Sequence, residues 1–203
     1  NRTKLIIIGV IMLFYIFSIV GADLLIILLN ILFNKFELSL LYIILAAVLG
    51  AIAVIAIDGV FAFIIRRLPE KWFSYDKKIW NVSKAECNFY EKLGIKLWKD
   101  KILELGVFTS FSKKTIAKPD SKEYMERFIL ESNYGAIIHI ANAIFGFLVI
   151  FCFPLKLVFC FGLPISIVNA ILSLLPYMIL RYNIPRLHRM RNLLEKKELR
   201  QQK

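Results

Sequence analysis

Four apolar blocks, residues 5–33, 38–65, 135–153 and 155–180, hold almost none of the chain's 27 Lys and Arg residues. A hydrocarbon core about 30 Å thick takes roughly 20 apolar residues of helix to cross. Each block supplies that length, the third only just. The expected fold is an all-α integral membrane protein with four transmembrane helices and a cytoplasmic amphipathic helical segment between the second and third. The whole chain, 1–203, reads as a single membrane domain.

The basic residues set the orientation. Fifteen fall in residues 66–132 and eight in 181–203; two precede the first block, and the short turns have one each, Lys35 and Lys156. Positive residues near span ends stay cytoplasmic. The expectation is a multi-pass protein of the cell membrane with both termini inside. An interfacial segment, 66–134, and a basic tail, 181–203, would lie on that same face. The first block is too long for the apolar region of a signal peptide, about 7–15 residues, and is read as a span that tilts, hinges near Gly21 or runs on along the outer surface.

A net charge of +12 and pI near 9.7 would suggest nucleic acid in a soluble protein. In a membrane protein the simpler partners are anionic lipid head groups, at about 1 kcal/mol per basic residue near the surface, and no nucleic acid is expected. The same charge could hold a phosphorylated donor. Cys87, Cys152 and Cys160 lack metal or redox spacing, so no metal is expected; Cys152 and Cys160 read as small core residues. The second block carries Ala46, Ala47, Gly50, Ala51 and Ala53, which allow close helix packing. They permit a dimer without requiring one.

In the middle segment Trp72, Phe73, Trp80, Phe89, Tyr90 and Trp98 are interleaved with lysines, the composition of a membrane interface. Ser83-x-x-Glu86 has the capping-box form, and Phe89, Tyr90, Leu93 and Leu97 follow at helical spacing towards Gly106. A second helix is expected over residues 121–133, leading into the third span. Pro176 lies one turn before the end of the fourth span, where a kink is expected, and residues 186–203 read as a basic amphipathic helix.

Ionisable groups within spans cost roughly 2.5–3.5 kcal/mol on insertion scales. Asp58 and His139 both fall in the inner half of the bilayer, and Asn142 lies one turn after His139 on the same face. Glu131 and Arg181 stand at the membrane border. One reading is a site open to the cytoplasm, with His139 as general base or acid oriented by a carboxylate. The other is a buried Asp–His pair joining two helices. Asp23, alone and nearer the outer side, reads as structural, and Lys96, Lys99 and Lys101 as a solvated or lipid-facing surface, with phosphate binding as the alternative. His139 has Ile144 rather than Asp five residues on, and the chain has no G-x-S-x-G elbow, P-loop or dinucleotide fingerprint. No pair of interrupted inverted repeats marks a transporter.

Three stretches in order carry a resemblance. The first runs from Phe89-Tyr90-Glu91-Lys92-Leu93-Gly94-Ile95 into Trp98-Lys99-Asp100-Lys101, then Gly106 and Phe111-Ser112-Lys113-Lys114. The second is Glu126-Arg127-Phe128 with Glu131 and His139. The third is Pro176 followed by Arg181-Tyr182-Asn183-Ile184-Pro185-Arg186-Leu187. Over about residues 69–193 the chain resembles the glycosyl-4,4'-diaponeurosporenoate acyltransferase family of staphyloxanthin synthesis. The resemblance implies transfer of a fatty acyl group onto a hydroxyl of a lipid-linked sugar. It also implies functional positions at Trp98, Lys99, Asp100, Glu131, His139, Arg181, Tyr182, Asn183 and Arg186. The chain departs from the family pattern at Tyr134 and Ala136, where a basic residue and a second Glu are usual, and at Leu180, where Gln is.

Two functions follow. In the first, the chain is an acyltransferase using an acyl-CoA-like donor as co-substrate and no cofactor. His139 would be its base, Asp58 or Glu131 would orient the ring, and Lys99 and Arg181 would hold the phosphates or thioester oxygen of the donor. Trp98, Asp100, Asn142, Tyr182, Asn183 and Arg186 would line the substrate site. In the second, the chain is a non-catalytic lipid-binding or accessory subunit.

Overall fold

A computed structural model of the chain describes residues 2–100, 102 and 118–201. Lys101, Gly106 and the run Phe111–Lys114 lie outside the described residues. Six α-helices follow in order: α1 Arg2–Leu32, α2 Leu40–Arg66, α3 Lys84–Lys92, α4 Ile95–Trp98, α5 Lys122–Phe145 and α6 Leu163–Gln201. No strand occurs among the described residues. Among the described residues, three stretches are long and apolar enough to cross a membrane: Leu40–Arg66, Lys122–Cys152 and Leu155–Gln201. Four spans were expected. The remaining expected span falls on α1, whose described apolar stretch is Ile16–Leu32; most side chains N-terminal to it lie outside the described residues. The chain is nonetheless a membrane protein, because exposed apolar side chains such as Leu41, Leu49, Ile52 and Ile55 cover α2, the reverse of a soluble surface.

The chain divides into two compact units, Asn1–Ile64 with Ile138–Leu174, and Ile65–Ile137 with Leu175–Lys203. In the first unit, Asn34 closes the turn between α1 and α2 by exchanging 2.8 Å hydrogen bonds with the backbone of Leu38. The core gathers Ile26, Ile43, Ala47, Val54, Val149, Leu157, Phe161 and Ile165. After α5 the chain narrows into a 3₁₀ segment, Gly146–Cys152, and then a π turn, Val158–Gly162. Such turns leave carbonyls without their usual helical partner; the Cys160 carbonyl accepts from the Asn30 amide at 2.9 Å. Cys152 is exposed rather than in the core, because this stretch turns it outward.

In the second unit the capping box forms in part. Ser83 Oγ accepts from the Glu86 backbone N–H at 3.1 Å, but the Glu86 carboxylate turns elsewhere, as described below. The helix expected to run on from Ser83 instead breaks at Gly94, which takes the left-handed conformation (φ 69°) that only glycine adopts cheaply. The expected second helix and third span are one helix, α5, and the fourth span and basic tail are likewise one helix, α6, with Pro176 and Pro185 inside it. Phe73 stacks on Tyr134, centroids 3.9 Å apart. Asn133 donates to the Phe73 carbonyl and Tyr134 Oη to that of Leu68, so α5 captures the connector leaving α2.

Gly50 is a point of close apolar packing in the first unit. A Cβ there would lie 2.5 Å from Ile165 Cδ1 and 2.7 Å from Phe153 Cζ. Gly50→Leu should lower the melting temperature in detergent, at a cost of about 1–3 kcal/mol from overpacking. Gly59→Ala, in open space on the same helix, should melt like the parent. Equal melting of the two variants would refute this packing.

Candidate functional site

Polar groups on apolar helices meet in the first unit. His139 is half-buried on α5 and Asn142 is 9% exposed one turn later. Residues three and seven positions apart share a helix face, so His139, Asn142 and Gly146 form one stripe. Asn169 on α6 reaches this stripe. Its Nδ2 donates to the Asn142 carbonyl and to Asp58 Oδ1, each at 3.2 Å. Gly146 admits it, since any Cβ there would collide with the Asn169 amide. Asp58 is therefore held by Asn169, and no hydrogen bond joins it to His139 among the described residues. That corrects both readings of an Asp58–His139 pair: Asn169 offers the carboxylate an N–H donor in its place. Asn142 Oδ1 is buried with no hydrogen-bond partner, which costs about 1–3 kcal/mol unless something donates to it.

Glu131 belongs to the second unit. Arg66 Nη1 lies 2.6 Å from its Oε2 and Arg127 Nη2 2.8 Å from its Oε1. Its side chain is only 14% exposed, so both oxygens are engaged by cations, and a ring-orienting role for Glu131 gives way to an ion-pair anchor.

Arg181 is committed in the same way. Nε and Nη2 donate to the two carboxylate oxygens of Glu86 at 2.8 and 2.9 Å, while Nη1 and Nη2 reach the carbonyls of Trp80 and Asn81. Tyr90 Oη donates to the same Glu86 at 2.7 Å. Burial alone would raise the Glu86 carboxyl, but the hydrogen bonds from Arg181 and Tyr90 outweigh it and hold it below the usual range. Burial and the bond to Glu86 push the Tyr90 phenol upward. This fork-to-fork pairing ties α6 to α3 and leaves the guanidinium no open face for a donor phosphate, contrary to the expected role.

The remaining predicted residues scatter around α4 and α6. The Trp98 indole donates to the Leu93 carbonyl at 3.0 Å and packs with Tyr182 on the cluster of Tyr90, Ile95 and Ile179. Tyr182 Oη donates to Glu91 at 2.9 Å, and the Lys99 ammonium lies 5.2 Å from the Tyr182 ring centre. Asn183 is half-buried; Asp100 and Arg186 are exposed. No group of His, Cys, Asp and Glu suited to a metal ion occurs among the described residues.

Three residues escaped the sequence reading. Asn169 was detectable as a lone amide within an apolar block. Glu86 was legible only as a capping residue, because its Arg181 partner lies 95 positions away. His188 gave no spacing signal.

The geometry thus describes a membrane protein with a histidine on an apolar helix and a polar scaffold of Arg–Glu pairs. The family model for glycosyl-4,4'-diaponeurosporenoate acyltransferase matches residues 69–193, and the chain belongs to that family. No curated protein and no solved structure matches the chain. The match includes His139, Asn142, Asn169 and Arg181 and excludes Asp58. Tyr134, Ala136 and Leu180, where the sequence reading expected departures from the family, all lie in the second unit. Ala136 is 1% exposed and Tyr134 3%, and Leu180 packs so near Gly135 that a Cβ there would lie 2.9 Å from Leu180 Cδ1.

Glu86→Gln should destabilise the protein by about 2 kcal/mol at neutral pH, the scale of a charged hydrogen bond. A carboxyl held low stabilises the fold above its ordinary value near 4.5 and loses that contribution as pH falls through its folded value. The melting difference between parent and Glu86→Gln should therefore shrink below pH 4.5; a constant gap across that range would show that charge is not involved.

Proposed function

We propose that the protein transfers a fatty acyl group from an acyl-CoA-like donor to a hydroxyl of a (glyco)lipid at the inner leaflet. The observation that carries this is His139, a histidine on the apolar stretch of α5 inside the region matched by the acyltransferase family. The acceptor hydroxyl gives its proton to the imidazole while its oxygen attacks the thioester carbonyl. An ester bond forms, the carbon–sulfur bond breaks, and the leaving thiolate takes the proton from the imidazolium. Asn142 Oδ1, an unpartnered acceptor on the His139 face, suits a second hydroxyl of the acceptor.

Four spans with both termini inside remain the topology favoured by the positive-inside pattern. Exposed Trp72, Ile79, Phe89, Leu93 and Leu97 lie among the lysines of the middle segment, as expected of a face resting on anionic head groups.

A non-catalytic, lipid-binding accessory role has one observation in its favour: Asp58 is bonded to Asn169, as in a polar cluster that only holds helices together. Lipid mass spectrometry on cells with and without the gene separates the two. His139→Ala should reduce the acylated glycolipid at least about 100-fold, the lower range of general-base effects, with melting near that of the parent. An unchanged lipidome together with lowered melting would make His139 structural and favour the accessory role.

A further inference from the structure

One cavity in the second unit has no part in the acyl-transfer reading. It measures about 540 Å³ and runs along one face of the C-terminal half of α6, opposite Asn81 and Val82 of the connector before α3. The α6 residues lining it, from Ile184 through His188 and Asn192 to Lys196, recur every four positions. They share a face and extend about 18 Å.

The charges on α6 are sorted by face. Glu195 turns away to Arg191 at 2.6 Å, and Arg191 also binds Glu126 at 2.9 Å; Glu198 meets Lys122 at 3.3 Å. The acids of the tail are therefore consumed on the side facing α5. The cavity side is left with Arg189 and Lys196, both exposed and without an ion-pair partner among the described residues. No acidic side chain belongs to its described lining. Two amides, Asn81 and Asn192, supply neutral donors. His188 Nε2, in the same wall, is buried with no hydrogen-bond partner. Ile184, Pro185 and Leu193 provide apolar surface beside these groups. Two unpaired cations, neutral donors and an adjoining apolar wall match a phosphate ester carried on a larger organic group.

We propose that this groove binds a phosphate ester, with Arg189 and Lys196 as its cationic contacts and the Asn81 and Asn192 amides as neutral ones. The ester can belong to a soluble molecule or to a lipid head group, since both present the same oxygens. The assignment does not depend on His139 chemistry, and its test reads binding rather than turnover.

The full chain is placed in nanodiscs of phosphatidylcholine and titrated calorimetrically with coenzyme A, which carries a phosphate monoester and a pyrophosphate. Native mass spectrometry of the same protein in nanodiscs doped with phosphatidic acid tests the lipid source. Arg189→Gln with Lys196→Gln should weaken binding at least about tenfold, as expected when charge-assisted contacts to phosphate are lost. Asn192→Trp, which fills the groove and keeps both charges, should do the same. Lys77→Gln with Lys78→Gln, outside the groove, should leave binding within twofold, a small change expected of screened surface charge. Coenzyme A binding with this pattern supports a soluble ligand, and phosphatidic acid retention with this pattern supports a lipid. Binding of neither probe, or equal loss in the Lys77/Lys78 variant, overturns the proposal.

Discussion

A polar group on an apolar helix must find a protein partner, because surrounding hydrocarbon offers none. In the first unit that constraint selects which elements meet. Asn30 takes the carbonyl that the π turn leaves at Cys160, and Asn169 takes Asp58 together with the Asn142 carbonyl. Each bond joins residues more than 25 positions apart. The close approach they require falls at Gly50 and Gly146, where a side chain would intrude.

The second unit meets the same constraint with ion pairs. Arg66 and Arg127 hold Glu131, Arg181 holds Glu86, and Arg191 holds Glu126 and Glu195. These pairs engage most of the acids near α5 and α6, so the excess positive charge of the chain is left over on particular faces rather than spread evenly. The face of α6 bearing Arg189 and Lys196 is one of them. Charge sorting of this kind gives a basic chain local specificity for anions that its net charge alone cannot supply.

Membership of the acyltransferase family directs attention to His139, yet the polar residues expected to serve it are occupied elsewhere. Asp58 is bonded to Asn169 and Glu131 to two arginines. A histidine base needs correct protonation and reach more than it needs a carboxylate behind it, so these arrangements leave acyl transfer chemically available. Tyr134 and Ala136 are buried on α5, and Leu180 of α6 packs close to Gly135 within the second unit.

The sequence by itself determined that the chain is helical and embedded in a membrane, since length and hydropathy alone decide whether a helix is compatible with hydrocarbon. It also identified Ser83 as a helix cap and located the costly residues Asp58, His139 and Asn142. Those signals are local: a block length, a three-residue spacing, a lone polar residue. The tertiary structure decided partnership. Glu86 meets Arg181 across 95 positions and Asp58 meets Asn169 across 111, and no periodicity encodes such separations. Whether a cation on α6 is paired or left open to a cavity is likewise set by which helix lies opposite, which is why the groove at His188 was invisible until the chain was folded.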